Sequence, residues 1–354
     1  MGLEGPVVVV GAGLLGTSIA LALRRGGVDV ALRDVSAENL RIATGLGATN
    51  VDAATTEPQL VVVAVPPDHL AEQVAEALAT TSAVVTDVGS VKAAPLAAVR
   101  RLAAEHLPRY VGSHPMAGSE RSGPLAATGA LFDGRPWAVT PHDASTPEVV
   151  DVVMDLARLC GATPVTFSPE EHDEAVARTS HLPHLLAAVV AGRLTDAPRG
   201  HLALSGQGVR DVTRIAAGDP ALWQQIITAN TVALTGLLRE VRDDVDALLM
   251  ALGDGDRDGL VAVLDRGVAG TTVIPGKHGG PSRAETTVFV AVPDHPGELA
   301  RLLAEAGDVG VNIEDLRIDH DPAREFGLVE LDVAAAQADH LLASLQERGW
   351  TAHR

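Results

Sequence analysis

The chain has 354 residues, enough for two or three domains, and 46% of them are hydrophobic, so sizeable cores can form. Aromatics are only 2%, so Val, Leu and Ala must fill those cores. A formal net charge of -19 argues against nucleic acid or an anionic membrane surface as a partner, and requires any anionic substrate to be met by a locally basic pocket.

The first apolar run, Val7–Val10, reads as a buried strand that runs straight into glycines rather than as a leader peptide. Leu14–Arg25 then has helical spacing, and 29–33 is a second strand. Residues 60–65 and 83–87 are further strand-like runs with helical stretches after each, an alternation that predicts a parallel sheet wrapped by helices. Residues 137–140 and 163–167 add strands. From 169 to about 273 strand signals become scarce, and 170–178, 182–194, 222–249 and 257–269 read as helices of an all-helical region. Its long apolar helices predict packing against a second subunit. The Gly- and Pro-rich stretch 274–283 reads as a linker. Beyond it, strand 286–292, helix 297–307, strands 312–318 and 327–333 and helix 336–348 form a βαββα unit. The expected division is 1–167, 168–275, a linker at 276–284, and 285–354. No apolar run is long enough to span a bilayer. The single cysteine, Cys160, cannot form an internal disulfide; it fits a reducing cytoplasm and reads as a buried structural thiol.

Gly11-Ala12-Gly13-Leu14-Leu15-Gly16 follows the first strand and opens the first helix. In that frame the first glycine permits the tight turn, the second admits a pyrophosphate, and the third lets helix pack on strand. The phosphates would sit at the free N–H groups of the helix N-terminus. Asp34 ends the second strand, 18 residues after Gly16, where a carboxylate accepts the ribose hydroxyls of NAD and repels a 2′-phosphate. Arg33 beside it leaves NADP as the lesser alternative.

Asp87-Val-Gly-Ser-Val-Lys92 follows a strand, which puts Ser90 at the carboxyl edge of the sheet where it can hydrogen-bond near a nicotinamide; the competing reading is a plain turn. The next informative stretch, residues 112–123, is polar and glycine-rich. His114 precedes Pro115, so its backbone is extended, and its place after a strand in the cleft region favours catalysis over a structural role.

The segment His114-Pro-Met-Ala-Gly-Ser-Glu120-x-Ser-Gly resembles the signature of prephenate and arogenate dehydrogenases. So do Ser180-His181-Leu-Pro-His184 and Asp211-Val-Thr-Arg214-Ile-Ala, with Asp219-Pro220 and Trp223 after it. The resemblance covers residues 7 to about 273. It implies a Rossmann-type doubly wound sheet followed by an all-helical domain, a homodimer, and NAD-linked oxidative decarboxylation of prephenate in tyrosine biosynthesis, with arogenate as the alternative substrate. A base of near-neutral pKa is needed for the substrate hydroxyl, and histidine meets the requirement. By resemblance that base is His114, with Ser90 holding the same hydroxyl and Arg214 gripping a carboxylate. His184 contacts the substrate side chain, His181 supports the site, and Glu120 gates its mouth. A metal-binding role for His181 and His184 lacks an obvious third ligand. This chain departs from the family where 204–208 is less glycine-rich and where position 218 is glycine instead of a common serine.

The opening of the last unit, residues 290–300 with Gly297, is similar to that of ACT domains, and Asn312 and Ile313 begin the next strand. That implies an aromatic amino acid as effector, against a purely structural unit. Two rivals are weaker. A β-hydroxyacid dehydrogenase relies on a lysine in its helical domain, and none occurs between Lys92 and Lys277. A non-catalytic nucleotide sensor would have no use for His114, Ser90 and Arg214 together.

Overall fold

The computed structural model describes residues 2–52, 57–118, 121–274, 285–319 and 325–354. The chain divides into two compact units, Met1–Gly259 and Leu260–Arg354.

The first unit opens with β1 (Val7–Val10), α1 (Leu14–Arg25), β2 (Val30–Arg33), α2 (Ala37–Gly45), β3 (Leu60–Val63), α3 (Pro67–Thr80), β4 (Val84–Asp87) and α4 (Ala93–Leu102). The four strands are all parallel, in the order β2-β1-β3-β4. The two central strands, β1 and β3, are continuous apolar runs because helices cover both faces of the sheet. One core gathers Val7, Val9, Ile19, Leu23 and Trp137, the other Val8, Val61, Leu70, Val85 and Tyr110.

A second, three-stranded sheet follows: β5 (Gly112–Pro115), β6 (Pro136–Thr140), α5 (Pro147–Leu159) and β7 (Thr163–Thr166). β5 runs antiparallel to β6, and β6 parallel to β7. A parallel bridge between Val85 and Tyr110 ties β4 to the approach to β5. His114 therefore lies within a strand, paired with Ala138, not after one. The sequence Gly-Ser-His-Pro lacks strand propensity, and the pairing with β6 overrides it. Cys160 is buried, which pushes its thiol up to about 12, an unreactive state at neutral pH.

The helical part starts with α6 (Pro169–Val176), whose Ser168 and Glu171 form a capping box. A widened i→i+5 turn, Ala177–His181, leads into α7 (Leu182–Gly192). Then come α8 (Arg199–Leu202), α9 (Gln207–Arg214), α10 (Pro220–Ala229) and α11 (Thr231–Asp254). The single helix expected over 222–249 is two helices broken at Asn230, whose backbone leaves helical geometry (φ -116°, ψ 30°). Its buried side chain bonds other elements instead. Along α9 no residue is buried, and Leu238, Val245, Leu249 and Met250 of α11 are exposed.

α12 (Arg257–Thr272) crosses the division between the units. The second unit holds β8 (Glu285–Pro293), α13 (Glu298–Asp308), β9 (Ile313–Asp319), β10 (Phe326–Ala334), α14 (Ala335–Glu347) and β11 (Thr351–His353). Its antiparallel sheet has the order β11-β8-β10-β9, over a core of Val288, Val290, Leu302, Leu331, Leu341 and Trp350. β11 is an edge strand the sequence pattern does not reveal, since three residues carry no periodicity. Gly297 is the left-handed N-cap of α13 (φ 95°), a conformation that favours glycine, and Asn312 precedes β9. The expected linker at 276–284 lies outside the described residues. Among the described residues no helix is long and apolar enough to cross a membrane.

Candidate active site

The loop from β1 to α1 has the geometry of a dinucleotide cradle. Gly11 has φ 106°, and a Cβ there would run into the Ala64 carbonyl on the neighbouring chain segment after β3. A Cβ on Gly16 would strike the Gly11 carbonyl, so helix and strand approach closely only without side chains. At Gly13 a Cβ would meet nothing within 4 Å, and no side chain caps α1 there, so its first-turn N–H groups face open space. That space is where a pyrophosphate fits. Leu14 and Leu15 open the helix. Asp34 follows β2, and its carboxylate accepts from the Ala12 N–H (2.5 Å) and the Ser36 N–H (2.6 Å). A carboxylate so held at the end of β2 suits a dinucleotide ribose.

At the carboxyl end of β4 lies a buried polar cluster. Asp87 accepts from Lys92 Nζ, from the Gly89 N–H (2.8 Å) and from Tyr110 Oη (2.7 Å). Lys92 Nζ also donates to the Ser113 carbonyl (2.7 Å), the residue before His114. Lys92 and Asp87 are both fully buried. Burial lowers the lysine pKa against the opposing pull of Asp87, and raises the tyrosine well above its usual value. The backbone N–H groups of Lys92 and Ala93 bind the Asp173 carboxylate of α6 at 2.8 and 2.9 Å. The cluster thus fixes the loop carrying Ser90 to both β5 and α6. Ser90 itself is half-buried in that loop.

His114 is partly buried on β5. Its Nδ1 lies 3.0 Å from Nε2 of His172, and the other nitrogen of His172 lies 2.9 Å from Asp173 Oδ1. Burial first, then neighbouring His172, Lys92 and His181, hold the His114 imidazole well below its usual pKa, so it is neutral at pH 7.

The helical motif builds the adjoining wall. His181 is buried and its pKa is lowered to about 4, chiefly by desolvation. Its Nδ1 faces the Asn230 amide (3.2 Å), which also donates to the Asp173 carbonyl (2.8 Å). His184 stacks on Trp223 with ring centroids 3.5 Å apart, and burial lowers its pKa too. A Cβ on Gly218 would press into the Trp223 indole, so the glycine lets this stack form. His184, Trp223, Gly218, Ser180, Thr179 and Arg214 line a cavity of about 380 Å³. Arg214, at the end of α9, is exposed, as are Val212 and Ile215 beside it; those neighbours do not shield it within one chain. The structure brings His114 and His181 into electrostatic range of each other. Glu120 lies outside the described residues.

The structure adds Asp87, Lys92, Tyr110, His172, Asp173 and Asn230, none singled out by sequence pattern. The only sequence signal was Lys92, one of just two lysines in the chain, at the end of a strand-edge motif.

A doubly wound sheet with a glycine cradle, an acid after β2 and a neutral histidine at the sheet edge defines a dinucleotide-linked oxidoreductase. Residues 19–166 match the family model for the prephenate dehydrogenase nucleotide-binding domain, and 168–266 that for its dimerization domain. A probable prephenate dehydrogenase, NovF, of Streptomyces niveus is 37% identical over 98% of this chain and 99% of its own. Prephenate dehydrogenase of Aquifex aeolicus, solved with hydroxyphenyl propionate and NAD+, superposes with a TM-score of 0.67 at 25% identity, over 76% of this chain and 98% of that one. Synechocystis arogenate dehydrogenase does so at 0.64 and 25%, over 77% and 99%. The chain belongs to the prephenate dehydrogenase family.

Proposed function

We propose that the chain oxidatively decarboxylates prephenate to 4-hydroxyphenylpyruvate with NAD. The observation that carries this reading is the neutral, partly accessible His114 on β5, within electrostatic range of His181, whose ring neighbour Trp223 lines a cavity with Arg214 and His184. Gly11, Gly13, Leu14, Leu15, Gly16 and Asp34 would hold the NAD, which when bound accepts the hydride leaving C4 of the substrate ring.

His114 takes the proton of the C4 hydroxyl, and Ser90 hydrogen-bonds the same oxygen. A neutral imidazole is ready to accept at pH 7. The ring carboxylate leaves as CO2, its bonding pair completes the aromatic ring, and the phenolate oxygen takes the proton back. Arg214 holds a substrate carboxylate through parallel N–H donors. His184, stacked on Trp223, meets the side chain; His181 braces that wall, and Glu120 guards the mouth. The exposed apolar residues of α11 are the surface of a homodimer, and a monomeric mass in light scattering refutes that. The second unit, with Gly297 in its left-handed turn, Asn312 just before β9 and Ile313 opening that strand, is the site of an aromatic amino-acid effector.

NADH formation is measured by absorbance with prephenate or arogenate and NAD or NADP. Turnover with prephenate and NAD is expected, and tyrosine added to that assay tests the second unit. His114→Asn should lose about 10²- to 10⁴-fold in kcat with NAD affinity intact. Near-normal turnover in that variant would place the base elsewhere.

A further inference from the structure

We propose that His172 and Asp173 are positioning residues that select the reactive nitrogen of His114 and share the charge it acquires. This rests on the reading of His114 as the base. The three side chains form one hydrogen-bonded line, Asp173 Oδ1 to His172 Nδ1 at 2.9 Å and His172 Nε2 to His114 Nδ1 at 3.0 Å. The inner two are buried, His172 at 1% and Asp173 at 6% exposure, so water does not compete for these bonds.

The donor and acceptor roles follow in order from the inner end. The Asp173 carboxylate takes the N–H groups of Lys92 and Ala93, at the start of α4, on its two oxygens. A carboxylate only accepts, so His172 Nδ1 must carry the hydrogen. In a neutral ring the other nitrogen, Nε2, is then a bare acceptor. His114 must therefore donate from Nδ1, which leaves its Nε2 lone pair free for the substrate proton. The opposite arrangement would put a hydrogen on Nε2 and block the base.

Charge follows the same line. The groups facing His114 are Lys92 from the β4–α4 loop, paired to Asp87; His181 from the widened turn, which accepts the Asn230 amide; and His172 with Asp173 from α6. Burial, His172, Lys92 and His181 all disfavour a cation on His114. Asp173, through His172, is the anion that opposes them. When the substrate hydroxyl gives its proton to His114 Nε2, the positive charge is shared towards His172 Nε2 and faces Asp173; the proton returns to the phenolate oxygen by the same path, with no net transfer.

The test compares wild type, His114→Asn, His172→Gln and His172→Leu. A glutamine can still accept from His114 Nδ1 but cannot take up charge; a leucine does neither. NAD affinity and circular dichroism establish that each is folded. We expect kcat to fall in the order wild type, His172→Gln, His172→Leu, by about tenfold and about 100-fold, at unchanged NAD affinity. The acid limb of kcat/KM, set by protonation of the base, should move to lower pH in both His172 variants, because the imidazolium has lost its support. A limb that moves to higher pH means that His172 acts as a competing cation, and an unmoved limb with equal kcat in both variants means that it merely packs; either overturns the proposal. If His114→Asn keeps turnover, the base itself is misassigned; if it is dead while both His172 variants behave as wild type, the relay alone fails. Should His172→Leu not fold, the pH limb of His172→Gln decides.

Discussion

Lys92→Met isolates the buried ion pair on which the sheet edge depends. The substitution keeps the unbranched stem and removes the ammonium. Asp87 then retains only the Gly89 N–H and Tyr110 Oη, and the Ser113 carbonyl loses its donor. Deleting one partner of a fully buried pair leaves an uncompensated charge and costs about 3–5 kcal/mol. For a unit of this size, where each kcal/mol moves the melting temperature by a few degrees, that is a loss of roughly 6–20 °C. The assay is thermal unfolding followed by circular dichroism at neutral pH, with turnover measured below the transition. kcat should fall with stability, since Lys92 holds the carbonyl next to His114, and NAD affinity should not, since the glycine cradle lies in the β1–α1 loop. The double variant Asp87→Leu/Lys92→Met removes both charges and should recover most of the melting temperature without recovering kcat. A single variant that melts within about 2 °C of wild type refutes the reasoning, as does a double variant no more stable than the single one, which would make the loss a matter of packing.

Two further outcomes are expected. Asp34→Ser should weaken NAD binding about 10- to 100-fold, the worth of a charge-assisted hydrogen bond, and improve NADP relative to NAD in fluorescence titrations; equal NAD affinity removes Asp34 from ribose binding. His181 has its pKa lowered from 6.5 to about 4 by burial, so between those values the unfolded chain binds a proton that the folded chain does not. Stability therefore falls as pH is lowered through 6.5 towards 4, by at most about 1.4 kcal/mol per pH unit from this group. His181→Asn, whose amide oxygen can still take the Asn230 donor, should flatten that slope in urea unfolding across the window; an unchanged slope assigns the acid sensitivity to other groups.

The dinucleotide half was legible because its signals are local. Four valines make β1, the glycines sit within six residues, and α1 begins and ends where helical spacing says. The strand carrying His114 was not, because Gly-Ser-His-Pro becomes β5 only by pairing with β6. Nor was the break at Asn230, in a stretch whose apolar spacing continues through it; there the amide is drawn off to Asp173 and His181, 57 and 49 residues away. The motifs named the glycine cradle, His114, and the cavity-lining His184 and Arg214. Of those they missed, His172 and Asp173 act by bonding across 58, 80 and 81 residues of chain, His172 on His114 and Asp173 on Ala93 and Lys92. Helical and strand periodicities report only which face of an element is buried. In α6 they cannot say that a buried His-Asp pair is there to hold a histidine on another strand, rather than to fill space. A motif thus names candidate groups, and the contacts around them are visible only once the chain has folded.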